Sequence, residues 1–186
     1  MSEIIELYRR AVDEFDRRVS EIGDDQWDDP TPCTDWNVRE LVNHVAAEDL
    51  WVPPLIDGMT LEEVGDRFDG DVLGDDPHST WAAARAAALT AVDGAPDRLV
   101  HTSMGQITVG EYLGQLFADH LVHAWDLARA IGADEDLDPE LVGHCYRQSL
   151  PYEEIMKASG VFGERLEPAP SAGPQERLLA LYGRRA

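Results

Sequence analysis

The sequence predicts an all-α protein: a bundle of four long helices, a short β-hairpin, and additional helices at the C-terminal end. Three observations lead there. Apolar residues recur three and four apart through several long stretches, the period of a helix that buries one face. Those stretches carry helix punctuation, with Asn37, Thr108 and Asp138 at starts and Gly23 and Gly132 at stops. Alternation of apolar and polar residues is confined to one short segment around Gly105, which limits β structure to a hairpin.

The elements follow in order. Residues 2–22 place Ile5, Tyr8, Val12, Phe15 and Val19 on one helical face, and Gly23 ends the helix. Pro30 and Pro32 keep residues 24–35 out of helix. Asn37 with Glu40 three residues on forms a capping box and opens a second helix, about Val38–Ile56, in which Pro53 and Pro54 predict a kink or an early end. Its buried stripe is expected at Leu41, His44, Val45, Glu48, Trp51, Val52 and Leu55. Residues 57–78 are rich in Gly, Asp and Pro and predict loop, with one capped turn at Thr60–Glu63. An alanine-rich helix over 79–94 is capped by Ser79, and a hairpin over 98–108 turns at Gly105. Thr108 with Glu111 caps the longest helix, which Gly132 ends. Asp138 and Pro139 open another, about 139–156, and a last one spans Gln175–Tyr182 after a Gly/Pro-rich segment, 160–174, that wraps the bundle. No linker or repeat divides the chain, so 1–186 is expected to be one domain, with its core bundle over about 2–132 and a helical extension over about 138–186.

Composition narrows the function classes. Apolar residues make up 44% of 186, enough for a sizeable core. Fifteen basic residues face 37 acidic ones, a formal charge of −22, which repels nucleic-acid phosphates and anionic membranes. The two cysteines, Cys33 and Cys145, form no Cys-x-x-Cys and have no basic neighbour in sequence, so they are expected to be buried or inert thiols. No signal-peptide pattern and no apolar run of about 20 residues is present, so a cytoplasmic protein is expected.

The chemistry concentrates in residues 115–132. Asp119 and His123 are four apart and point the same way to within about 40°. They share a side with Leu113, Leu116, Phe117, Ala124, Leu127 and Ile131, the side a bundle buries. On the second helix His44 and Glu48 repeat the pattern of an imidazole and a carboxylate on a core-facing line. An unpaired buried polar group costs about 1–3 kcal/mol and a charge more, so these residues need partners. A divalent metal is one such partner, and hydrogen bonds to core neighbours are the other; the spacing does not choose between them. Two imidazoles and one carboxylate, from His44, Asp119 and His123, suit Zn²⁺, Ni²⁺, Fe²⁺ or Mn²⁺, with zinc and nickel favoured, and three protein ligands leave a position open. Glu48 is then the candidate catalytic residue as a proton shuttle, with a fourth ligand or a surface carboxylate as the other readings. His120 is expected in the core, and Asp126 with Arg129 as a helix ion pair or as an orienter of His123.

At these residues the chain resembles a known family. Asn43-His44-Val45 after Pro30-Thr31-Pro32-Cys33-Thr34-Asp35-Trp36, together with the run from Asp119 through His123 to Arg129, is similar to the mycothiol-dependent maleylpyruvate isomerase N-terminal domain family. That family belongs to the DinB-like (YfiT-like) superfamily of four-helix bundles. The ending from Arg177 to Arg184 resembles a subgroup of actinobacterial members. The resemblance implies a divalent metal held by His44, Asp119 and His123. It also implies a low-molecular-weight thiol such as mycothiol as cofactor, and a thiolate attacking a small electrophile in S-transfer or isomerisation. Asp119 stands where the isomerase carries glutamate, and the isomerase's extra C-terminal domain has no counterpart here, so metal and thiol carry over ahead of maleylpyruvate isomerisation itself. The alternative is a non-catalytic module that binds a metal or small molecule around a structural ion. The implied partners are small molecules, with no nucleic acid and no membrane; a homodimer is one candidate for an oligomeric state the sequence does not fix.

Overall fold

A computed structural model describes residues 3–93, 95, 98–103, 105–159 and 165–186. The helices are α1 (Glu3–Val19), α2 (Val38–Ile56), the short α3 (Leu61–Val64), α4 (Pro77–Ala91), α5 (Val109–Ile131), α6 (Pro139–Ser149), α7 (Glu153–Ser159) and α8 (Pro174–Leu181). Strands β1 (Leu99–Thr102) and β2 (Gly105–Thr108) form an antiparallel hairpin with Leu99 opposite Thr108 and Val100 opposite Ile107. The architecture is the helical bundle with one hairpin that the sequence predicts, consistent with a DinB-like fold.

The four long helices form two layers. α1 lies along α5, α2 lies along α4, and α2 crosses to meet α5. The reason is the width of each apolar face. α5 buries almost every side chain from Tyr112 to Ala128, as a central helix must. α4 buries only Trp81, Ala84 and Ala88 and keeps to the outside. Polar ties fix the layers: Trp81 Nε1 donates to Asp16 at 2.8 Å, and the buried Arg18 donates to the carbonyls of Asp134 and Asp136 at 3.3 and 3.0 Å, clamping the loop after α5 onto α1. α6 meets α5 closely at Gly114, whose carbonyl accepts from Gln148 Nε2 at 2.6 Å. A Cβ at Gly114 would lie 3.0 Å from that nitrogen, so a larger residue would have to displace the Gln148 amide.

The caps at Asn37, Thr60, Thr108 and Asp138 form as predicted, and Gly132 takes the left-handed conformation (φ 70°) that ends α5. Four expectations change. α1 stops at Val19 rather than running to residue 22, although Ile22 stays in the core. α2 continues through Pro53 and Pro54 to Ile56, forgoing the two hydrogen bonds their missing N–H groups would have made to the preceding turn. α4 begins at Pro77 with Asp76 as its cap, since a proline is pre-set for the first helical position; Ser79 gives its N–H to that aspartate instead of capping. The helix expected over 139–156 breaks after Ser149 into a 3₁₀ turn, Leu150–Tyr152, at Pro151. Of the 160–174 segment, residues 160–164 lie outside the described residues; from 165 the chain runs beside α8, with Leu166 N donating to Ala180 O at 2.9 Å. No helix among the described residues is long and apolar enough to cross a membrane.

The start of α5 carries a test of this reading. Thr108 is exposed, so its contribution is the cap: its hydroxyl accepts from Glu111 N at 3.1 Å, and Glu111 accepts from Thr108 N at 2.8 Å. Thr108→Ala is expected to lower unfolding stability by about 1 kcal/mol, and Thr108→Ser to retain most of it, read from urea midpoints.

Candidate metal centre

The site forms where α2 meets α5. The Asn37–Glu40 box sets the start of α2, and Val38, Leu41, Val42 and Val45 turn its apolar face inward, leaving His44 half-buried on the flank. From α5, Asp119 reaches the same place with a side chain 25% exposed, and His123 with one 8% exposed. Asp119 Oδ1 lies 3.3 Å from His123 Nε2 and 3.5 Å from His44 Nε2. One donor atom from each of the three residues lies within 4.8 Å of the others, so the group could hold a metal ion.

The residues fit such an ion. Ligands about 2.0–2.1 Å from a tetrahedral centre sit about 3.3 Å apart, close to the two separations seen. Asp119 Oδ2 is buried at the atom level and accepts no hydrogen bond, although His44 Nε2 is 3.3 Å away; an electron pair is left for a cation. The rings are oriented from behind. Trp36 stacks on His44 with centroids 4.6 Å apart and 29° between planes. His123 Nδ1 donates to Asp126 Oδ2 at 3.0 Å, which leaves Nε2 as the atom facing Asp119. Asp126 is fully buried and is held in turn by Arg184, Nη2 to Oδ2 at 2.7 Å and Nε to Oδ1 at 3.2 Å.

Electrostatics follow from this packing. Burial disfavours a charged His123, yet the Asp119 and Asp126 carboxylates outweigh it and hold the imidazolium up to about 9. Burial pushes Asp119 up, and His123 and His44 more than offset it, so its carboxyl stays well below the usual range. In the metal-free protein the imidazolium thus supplies the positive charge that an ion would bring.

Around the triad the structure places the other candidates. Glu48 is half-buried; burial first and the Asp119 charge second raise its pKa, with His44 opposing, so it neighbours the ligands and retains a proton more readily than a free glutamate. The core line of α2 is rotated from the expected stripe: His44, Glu48 and Trp51 lie half-buried on its edge, and Asp49 is the acid that enters the core. Asp49 could have been found, since Val42, Val45, Asp49 and Val52 are themselves in helical phase. Tyr8 OH donates to Asp49 Oδ1 at 2.7 Å, and His120 Nε2 lies 3.2 Å from the same oxygen. His120 Nδ1 reaches the Leu116 carbonyl at 2.8 Å, so His120 is a core histidine, as expected.

The expected Asp126–Arg129 pair does not form. Arg129 turns outward to Glu135 at 2.7 Å and lies 4.4 Å from the Trp125 ring centre, because Asp126 points inward to His123 and Arg184. Arg184 is the residue that sequence reasoning missed; it is far from its partner in the chain and belongs to no periodic pattern. Cys145 is buried as expected, its thiol pushed up to about 12 by burial. Cys33 is half-buried; burial raises its pKa, and the Arg184 guanidinium, a basic neighbour invisible in sequence, opposes the rise. Trp125 is core, and Trp51 packs edge-on against Phe68 with centroids 5.6 Å apart.

His44 borders open space. An open groove of about 860 Å³ runs past His44 between Trp36 and Phe68. Asp69, Gly70 and Asp71 also line it, and their loop is pinned by Asn43, which donates to Gly70 O at 2.8 Å and accepts from Val72 N at 2.7 Å.

The model of the mycothiol maleylpyruvate isomerase N-terminal domain matches residues 8–128, which include all three candidate ligands. Two uncharacterized proteins of Mycobacterium tuberculosis, MT0763 of strain CDC 1551 / Oshkosh and Rv0738 of strain ATCC 25618 / H37Rv, are each 33% identical over 184 residues, which is 95% of this chain and 95% of theirs. No solved structure gives a significant match. The chain belongs to the mycothiol maleylpyruvate isomerase N-terminal domain family.

A pH dependence follows from His123. Its pKa is raised on folding from 6.5 to about 9, so its contribution to the metal-free fold is fully present below about pH 6.5 and lost as pH rises through 9. Urea unfolding of metal-stripped protein should therefore show wild type losing more stability between pH 6 and pH 9.5 than His123→Gln does. Equal losses would remove the imidazolium from the account.

Proposed function

We propose that this protein is a metal-dependent thiol transferase or isomerase that uses a low-molecular-weight thiol of the mycothiol type on a small electrophilic substrate. The observation that carries the reading is the donor cluster of His44, Asp119 and His123 opening at His44 into the groove. A structural ion is enclosed by four protein ligands, whereas three donors beside a groove leave room for an exchangeable one. Zinc or nickel suits two imidazoles and a carboxylate. Bound there, the ion would hold the thiol as thiolate at neutral pH and stabilise negative charge developing on the substrate.

The chain's own residues do the rest. Trp36 and Phe68 flank the groove and offer apolar faces to the substrate's carbon frame. Glu48, with its raised pKa, takes the proton as the thiol enters; the thiolate then forms the carbon–sulfur bond, and the electrophile's π electrons move to the adjacent carbon. The same carboxyl returns the proton to that carbon. In isomerisation the adduct rotates about the carbon–carbon bond that was double before the steps reverse and release the thiol. Family membership supports the thiol, and the net charge of −22 favours small molecules over nucleic acid as partners.

The test begins with metal content of untagged protein by elemental mass spectrometry. Wild type is expected to carry about one equivalent of a single transition metal, and His44→Ala and His123→Ala to lose it. Glu48→Gln should keep the metal while slowing thiol addition to an enone by about 100-fold. A wild type that takes up neither zinc nor nickel would leave the proposal without its foundation.

A further inference from the structure

We infer that Arg184 is a positioning residue for the metal centre, acting through Asp126 on His123, and that the segment carrying it docks more tightly when the ion is bound. This rests on the metal reading above. Its own evidence is a chain of buried contacts. One oxygen, Asp126 Oδ2, takes both the His123 Nδ1 proton at 3.0 Å and the Arg184 Nη2 proton at 2.7 Å. Asp126 is wholly buried, and the Arg184 side chain is 9% exposed. A carboxylate in that position is held by its partners and by nothing else, because water does not reach it. Without Arg184 its remaining charged partner is His123 itself. The imidazole would then be drawn toward Asp126, turning Nε2 away from Asp119.

The guanidinium is fixed from its own side. Arg184 Nη1 donates to Tyr182 O at 2.8 Å, and its backbone N donates to Leu179 O at 2.8 Å. The Tyr182 hydroxyl lies 2.8 Å from Ser149 Oγ on α6. α6 and α8 therefore aim one arginine at the back of one ligand. The matched family domain ends at residue 128, so this support comes from chain outside it. Contacts behind a ligating histidine typically change metal affinity by about 10–100-fold. Linkage makes the effect reciprocal: whatever docking contributes to metal affinity, metal contributes to docking.

The test uses the full chain, stripped of metal, and zinc measured by competition with a chromophoric chelator. Arg184→Ala should bind zinc about 10–100-fold more weakly, Arg184→Lys should fall between, and Asp126→Asn combined with Arg184→Ala should be no weaker than Asp126→Asn alone. Guanidinium at tens of millimolar should restore much of the affinity of Arg184→Ala and leave wild type unchanged, a rescue that a general loss of fold would not give. A second measurement needs no variant: zinc should slow hydrogen exchange at the amides of Gly183 and Arg184, which donate to Ala180 O and Leu179 O. Wild-type affinity in Arg184→Ala, or exchange in wild type unmoved by bound zinc, overturns this inference and leaves the metal reading standing. A wild type that binds no zinc overturns both.

Discussion

The rest of this structure depends on how three aspartates are kept in an apolar bundle. Asp49, Asp119 and Asp126 lie on the inner faces of α2 and α5, where a lone carboxylate would be far more costly than a helix could bear. The chain has few cations to offer them, with 15 basic residues against 37 acidic ones. It answers with histidines: His120 beside Asp49, His44 and His123 beside Asp119, and His123 again with Arg184 beside Asp126. Two of these groups lie away from the groove. The Asp49 carboxylate meets a tyrosine and His120 and keeps its Oδ2 without a hydrogen bond, and the Asp126 carboxylate is held by an arginine. The Asp119 group borders the groove through His44 and sets its own free carboxylate oxygen beside two imidazoles. That placement, more than the presence of histidine, separates a candidate metal centre from core packing.

Much of this was legible in the sequence, for physical reasons. Helix starts are local events, so Asn37, Thr108 and Asp138 could be read from a few residues each. The Asp119–His123 spacing lies within one helix, and rotation per residue settles its geometry. His44 lies on another helix and required the second anomaly on a core-facing line. What escaped depends on rotation of a whole helix or on distance. In α2 the apolar face is broad enough to allow two phases; one puts Glu48 inward, and the structure has the other, with Asp49 there. Arg184 meets Asp126 across 58 residues, and no periodicity announces such a pair. Asp126 therefore looked free to pair with Arg129, one turn away. Pro151 was readable and decisive, since it ends α6.

The centre is consequently two-sided. Its His44 side faces the groove and the aromatic walls of Trp36 and Phe68. Its His123 side is sealed by Asp126, Arg184 and the α6–α8 layer. A site of this build holds one ligand rigidly from behind while the opposite ligand remains in reach of small molecules. Rigid support and open access are supplied by different parts of the chain, so residues along the groove can change without disturbing the ring that Asp126 holds.

The stacking of Trp36 on His44 has an optical meaning. An indole in face-to-face contact with an imidazole, 4.6 Å between centroids, loses excited-state energy at a rate that depends on the charge of its neighbour. Trp36 also lies 5.7 Å from the His123 ring, so both imidazoles of the triad fall within its electronic reach. The chain has built a fluorophore into the wall of its own site, and events at His44 are reported as changes in ultraviolet emission without any added label.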